Sequence, residues 1–246
     1  MEIKVIGIDC ATDPKKVGIS LGKYYKGQME LIQTMIATGS QSMYKLICDY
    51  IGSENNVLLA IDAPLGWPID LGASLVNHNA GDALNVDAND LFRRETDRFV
   101  KRVIGKQSLD VGADRIARTA HAALKMLQEL RKMTGRDIKM TWEPNNLNGI
   151  GAIEVYPAAT LDCYRIISTG YKDKNKQQIR EQILNALKNH IKVPKDTELL
   201  LNNADALDSA ICLLSAKDFI EGNAYYPEQL DLARKEGWIW IRNIHS

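Results

Sequence analysis

The chain has 246 residues, 45% hydrophobic and 25% charged, the proportions of a folded protein rather than a disordered one. Lysine plus arginine number 31 and aspartate plus glutamate 31, so the formal charge is zero and no global positive field exists to grip long nucleic acid. No apolar run approaches the roughly 20 residues that span a bilayer. The first residues carry an acid at Glu2 and run straight into a strand pattern, unlike a signal peptide. The 4 cysteines, Cys10, Cys48, Cys163 and Cys212, are scattered without a Cys-x-x-Cys pair. These features predict a cytoplasmic protein with reduced thiols and no membrane association.

Ile3 to Ile8 is a nearly continuous apolar run, the pattern of a strand buried on both faces. After turn chemistry at Thr12 to Lys15, Val17, Ile19 and Leu21 alternate with small residues, and Met29 to Ala37 gives a third strand. Ser40 is placed to cap a helix with Met43, Leu46, Ile47 and Tyr50 at helical spacing. Val57 to Ile61 is a short buried strand that stops at Asp62-Ala63-Pro64. A right-handed crossover would set this fourth strand parallel to the first.

The middle, about 65–149, reads as a helical insertion on the main sheet, because no flexible linker flanks it. It holds a glycine- and asparagine-containing loop, a charged helix from Asn89 to Val103 and a second helix from Ala113 to Thr134. Trp142 to Asn146 is loop material. Beyond it come a strand from Ala152 to Tyr156, helices at Ala158 to Ser168 and Lys176 to Ile191, and a helix from Asn203 to Glu221 that is apolar almost all round. Gly237 to Ile241 reads as a closing edge strand. The expected fold is α/β with a mixed sheet, three antiparallel strands followed by parallel ones, in a single domain spanning 1–246.

The aspartates carry the functional signal. Asp9 ends the first strand and Asp62 the fourth, and ligands of open α/β sheets bind outside the carboxyl ends of the strands. Asp205 and Asp208, three positions apart, share one side of the buried helix. Glu154 sits between Ile153 and Val155, where a charge is expensive. Converging carboxylates repel one another, and a hard divalent cation, magnesium or manganese, relieves that repulsion. Two such ions could activate a water for phosphodiester cleavage. Each acid also has a plain reading: strand-end aspartates form turns, Asp205 and Asp208 complement a helix dipole behind an Asn203 cap, and Glu154 can pair with an arginine. It is their conjunction that points to a metal site.

Gly7-Ile8-Asp9, Ile61 to Gly66, Arg94 to Arg98, Ala113 to Ile116, Glu154 to Ala158, Asp205 to Ala210 and Glu236 to Trp240 together resemble the motifs of the family called domain of unknown function 429. That family is regarded as predicted nucleases of ribonuclease H-like fold. The resemblance implies metal ligands at Asp9, Asp62 and the Asp205/Asp208 helix, with Glu154 as a further one. Cys10-Ala11 departs from the glycine or small polar residue that many relatives carry after the first aspartate.

Arg94 and Arg115 are candidate substrate contacts beside this crevice, although most cations of the charged helix read as solvated partners of internal pairs. The 4 histidines lack metal-binding spacing, and no P-loop, Rossmann or serine-hydrolase pattern occurs. The leading expectation is a metal-dependent nuclease or phosphodiester hydrolase acting on nucleic acid or a phosphate ester. A phosphotransferase or ATPase of the related sugar kinase and actin fold, and a non-catalytic binding protein, are the alternatives.

Overall fold

A computed structural model describes residues 2–112, 114–144 and 146–245. Met1, Ser246, Ala113 (expected to open the second middle helix) and Asn145 (in the loop after Trp142) lie outside the described residues. A 6-stranded mixed sheet has the order β3-β2-β1-β4-β6-β5. β1 (Ile3–Asp9), β2 (Gly18–Tyr25) and β3 (Gln28–Ile36) are antiparallel neighbours, and β4 (Asn56–Asp62) lies parallel to β1. β6 (Gly149–Glu154) is parallel to β4, and β5 (Ile138–Met140) is parallel to β6 at the edge.

The central strands are apolar throughout because both faces are covered. Along β4, Leu58 and Ala60 join one cluster, with Leu213 and Leu214 of α9 (Ala204–Ile220). Leu59 and Ile61 point the other way, against Ile47 of α1 (Ser40–Ile51) and Leu127 of α5 (Asp114–Thr134). The period of two thus distributes one strand between two cores. α9 lies unusually close to the sheet. A Cβ on Gly7 would overlap the carbonyl oxygen of Ser209, and one on Gly18 that of Asp205. Glycine at these two strand positions lets the helix descend onto β1 and β2, and a 2.8 Å bond between the Ser20 and Ser209 hydroxyls closes the seam.

Three expectations change. The charged helix is two, α3 (Ala88–Phe92) and α4 (Glu95–Ile104), broken where Arg94 turns extended (φ −75, ψ 164) and its backbone N–H donates to Asp97 Oδ2 at 2.9 Å. The helix after β6, α6 (Pro157–Cys163), stops early, with Arg165 at φ 56. Gly237 to Ile241 forms no strand. β5 already holds the first part of β6, through Ile138–Ile150 to Met140–Ala152, so the segment meets β6 at a single bridge, Ile239 to Glu154. The sequence also concealed β5 itself, α2 (Ile69–Leu75) and α8 (Glu198–Asn202). α7 (Gln177–Leu187) and α10 (Leu230–Glu236) complete the described helices, none of which is long and apolar enough to cross a membrane.

Candidate metal centre

Parallel pairing puts Asp9 and Asp62 side by side in register at the carboxyl ends of β1 and β4. Asp208, fully buried on α9, descends onto them because of the glycine seam. One carboxylate oxygen from each of the three lies within 4.8 Å of the others. Burial pushes the Asp9 carboxyl well above the usual range, and the charges of Asp208 and Asp62 push it further. Asp62 rises to about 7, chiefly through burial, with Asp208 adding and Lys172 opposing. The cluster is short of positive charge.

Two neighbours on the loop before α7 partner Asp208. The Tyr171 hydroxyl donates to Asp208 Oδ1 at 2.7 Å. The Lys172 ammonium pairs with Oδ2 at 2.7 Å. Lys172 keeps 60% of its side chain exposed. Buried Arg180 of α7 fixes the loop, donating to the carbonyls of Tyr171 (2.6 Å), Asp173 (2.9 Å) and, on α8, Leu201 (2.6 Å). Nothing in the sequence around Tyr171 and Lys172 advertises this role, since a loop carries no periodicity; Gly170 at φ +75 is the one local mark of a constrained turn.

The other predicted residues go elsewhere. Asp205 is half-buried in the first turn of α9 and outside the three-carboxylate group; Asn203 caps that helix by accepting from Ala206 N at 2.9 Å. Glu154, expected as a metal ligand, commits both oxygens to Arg94: Oε1 accepts from Nη2 at 2.7 Å and Oε2 from Nη1 at 2.8 Å, while Leu65 N adds 2.9 Å to Oε2. Arg94, expected to meet substrate, is 1% exposed and spends all its donors internally. Besides Glu154, they reach Asp97 Oδ1 and Oδ2 and the carbonyl of Glu236. Glu154 and Arg94 are therefore each other's partners. Arg115 points into solvent, 92% exposed, with Asp114 4.0 Å away. Arg93, Arg98 and Arg102 pair with Asp110, Asp90 and Glu95 within the middle region.

Asp62 and Lys172 also help to wall a cleft of about 270 Å3. Tyr156, Val155 and Ala158 beyond β6, Leu109 and Ile116 from the middle region, and Ile239 form much of the rest.

No curated protein matches this chain. The ordered motifs from Gly7 to Ala210 fall inside one family match, with only the Glu236 to Trp240 segment beyond it. That match, to the family described as Protein of unknown function (DUF429), covers residues 7–231, and the chain belongs to this family.

Proposed function

We propose that the protein is a divalent-metal-dependent phosphodiester hydrolase, a nuclease of ribonuclease H-like fold. The observation that carries this reading is the gathering of Asp9, Asp62 and Asp208 within 4.8 Å, faced by one exposed ammonium. The donors fit a hard cation such as magnesium or manganese: all are carboxylate oxygens, two of the carboxyls are pushed upward, and fully buried Asp208 has only the Tyr171 hydroxyl and the Lys172 ammonium against it. The sheet order, three antiparallel strands and then parallel ones, supports the ribonuclease H-like part.

Asp9, Asp62 and Asp208 would hold the metal, with Asp205 on the same helix in reserve one turn away. Bound there, a divalent ion would supply an activated water and charge stabilisation at the phosphorus. The protein's own groups do the rest. β1 and β4 fix two carboxylates, Tyr171 orients the third, and Lys172 offers an exposed ammonium to a non-bridging phosphate oxygen. Rigid placement on strands matters, because orientation supplies much of the barrier reduction in such a transfer.

The test measures hydrolysis of an aryl phosphodiester and of short single-stranded oligonucleotides with magnesium or manganese. Asp62→Asn and Asp208→Asn should abolish turnover and weaken manganese binding by calorimetry. A wild-type protein that binds manganese but cleaves nothing overturns the hydrolase reading and leaves a metal-binding module. Turnover that survives Asp62→Asn overturns the assigned centre.

A further inference from the structure

The cleft beside Asp62 has a division of character that the hydrolytic reading leaves unexplained. Its charged wall groups other than Asp62 and Lys172 are saturated. Arg94 donates only to Asp97, Glu154 and Glu236, and Asp97 accepts from Arg94 and from the Ser108 hydroxyl at 2.9 Å. What remains accessible is apolar or aromatic. Leu109 is 69% exposed, a large aliphatic side chain held at a cleft wall with nothing packed over it. The Tyr156 ring is half-buried, and its hydroxyl bonds to no group among the described residues. At about 270 Å3 the cleft has room for one ring system.

We infer that this cleft is a base subsite: it receives one unpaired nucleobase, attached to the phosphate that lies at Asp62 and Lys172, and holds it by stacking on Tyr156 and by apolar contact with Leu109 and Ile116. The inference rests on the hydrolase reading for the position of the phosphate, and deepens it by naming the substrate as single-stranded or mononucleotide-sized. Arg94 and Glu154 are committed to each other, which leaves the Tyr156 hydroxyl for the edge of the base, and a hydroxyl, able both to donate and to accept, does not discriminate between bases. Purines and pyrimidines are then discriminated weakly, by size and stacking alone. A base inside a duplex cannot enter without leaving its stack.

The experiment is a calorimetric titration of the manganese-loaded protein with adenosine and cytidine monophosphates, inorganic phosphate, a tetranucleotide and a blunt duplex. The two nucleotides should bind within a few-fold of each other and more tightly than inorganic phosphate, and the duplex should not compete. Tyr156→Ala should weaken nucleotide binding by about 5- to 100-fold, with inorganic phosphate unaffected. Leu109→Ala, at an exposed position that cannot unfold the core, should weaken it less and in the same direction. Tighter binding of the tetranucleotide assigns the base to an oligonucleotide, equal binding to a free nucleotide, and both support the subsite. Nucleotides that bind no better than phosphate, a duplex that competes equally, or indifference to both substitutions overturns it. The two readings fail separately. Turnover with no effect of either substitution sinks the subsite alone, and nucleotide binding that is sensitive to Tyr156→Ala but without turnover sinks the hydrolase alone.

Discussion

Two buried acidic clusters lie near the ends of β4 and β6, and they are built to opposite principles. Around Arg94, the carboxylates of Asp97, Glu154 and Glu236 are all nearly inaccessible, and every one is answered. Arg94 serves the first two, while Glu236 accepts the backbone N–H groups of Ile69 and Glu95, each at 2.9 Å. This set ties the middle helices, the loop after β4, β6 and the C-terminal segment together. Gly237 belongs to it: at φ 88, a Cβ there would press on Glu154 Oε2 and Arg94 Nη1. Around Asp9, Asp62 and Asp208, the partners are one tyrosine hydroxyl and one exposed lysine. Each set places three carboxylates against one cation, but only the first satisfies its carboxylates with several hydrogen bonds from the chain. Acids supplied with hydrogen-bond donors hold the fold, and acids with few of them mark a place for something the chain does not itself provide.

The largest expected effect falls on the balanced cluster. Arg94→Met strands Glu154 and Asp97 as buried uncompensated charges and should cost about 3–5 kcal/mol in denaturant unfolding. Adding Glu154→Gln should recover part of that loss, since the two residues act as one unit. Glu154→Gln alone should leave manganese affinity unchanged, whereas Asp62→Asn should not. A metal-binding defect in Glu154→Gln would merge the two clusters and break the comparison.

A pH titration addresses the unbalanced cluster. Asp62 in the folded, metal-free protein holds its proton up to about 7, whereas an unfolded aspartate releases it near its ordinary 3.8. Between these points the folded state binds more protons, so stability falls as pH rises through that window and levels off above it. Allowing for solvent screening, the loss is on the order of 2 kcal/mol. Asp9, also raised, acts in the same direction. Asp62→Asn should flatten the profile in thermal unfolding, and saturating manganese should do the same for the wild type by taking the place of the protons.

The two clusters also differed in how far they could be read from sequence. Asp9 and Asp62 were legible because strand ends are local signals, and a parallel return strand places them in register. Spacing joined Asp205 to Asp208 but could not choose between them. The seam lowers both turns, with Gly18 against Asp205 and Gly7 against Ser209, so the choice rests on which carboxylate reaches Asp9 and Asp62, a contact between distant segments. Glu154 and Arg94 were both singled out as functional charges, yet they are 60 positions apart, and no periodicity announces that they meet. The sheet was legible from alternation down to its order among the first four strands. β5, three residues long, is too short to show a pattern. Its occupancy of the β6 edge is also why the apolar Gly237 to Ile241 run, strand-like in isolation, has little edge left to pair with.

Smaller effects separate orientation from charge within the metal centre. Tyr171→Phe removes the donor to Asp208 Oδ1 and leaves the ring in place. The cost in unfolding should be about 1 kcal/mol, and manganese affinity should fall by about tenfold as Asp208 loses its fixed direction. A change in stability without any change in affinity would make Tyr171 a packing residue only.

Lys172→Met should have the least effect on binding, and in the opposite direction. Its ammonium is 2.7 Å from Asp208 Oδ2; the lysine is largely exposed but Asp208 is fully buried, so the pair lies between a surface ion pair and a buried one. A divalent ion must compete with that ammonium, and removing it should tighten manganese binding by no more than about fivefold. KM for a phosphodiester should rise at the same time, because the displaced ammonium is then missing from the phosphate. Affinity and KM moving in opposite directions would mark Lys172 as a replaceable counter-cation, which Arg94, enclosed by its acids, cannot be. Weaker manganese binding in Lys172→Met would instead mean that the lysine holds Asp208 in place, and the lack of charge at this cluster would be smaller than its geometry implies.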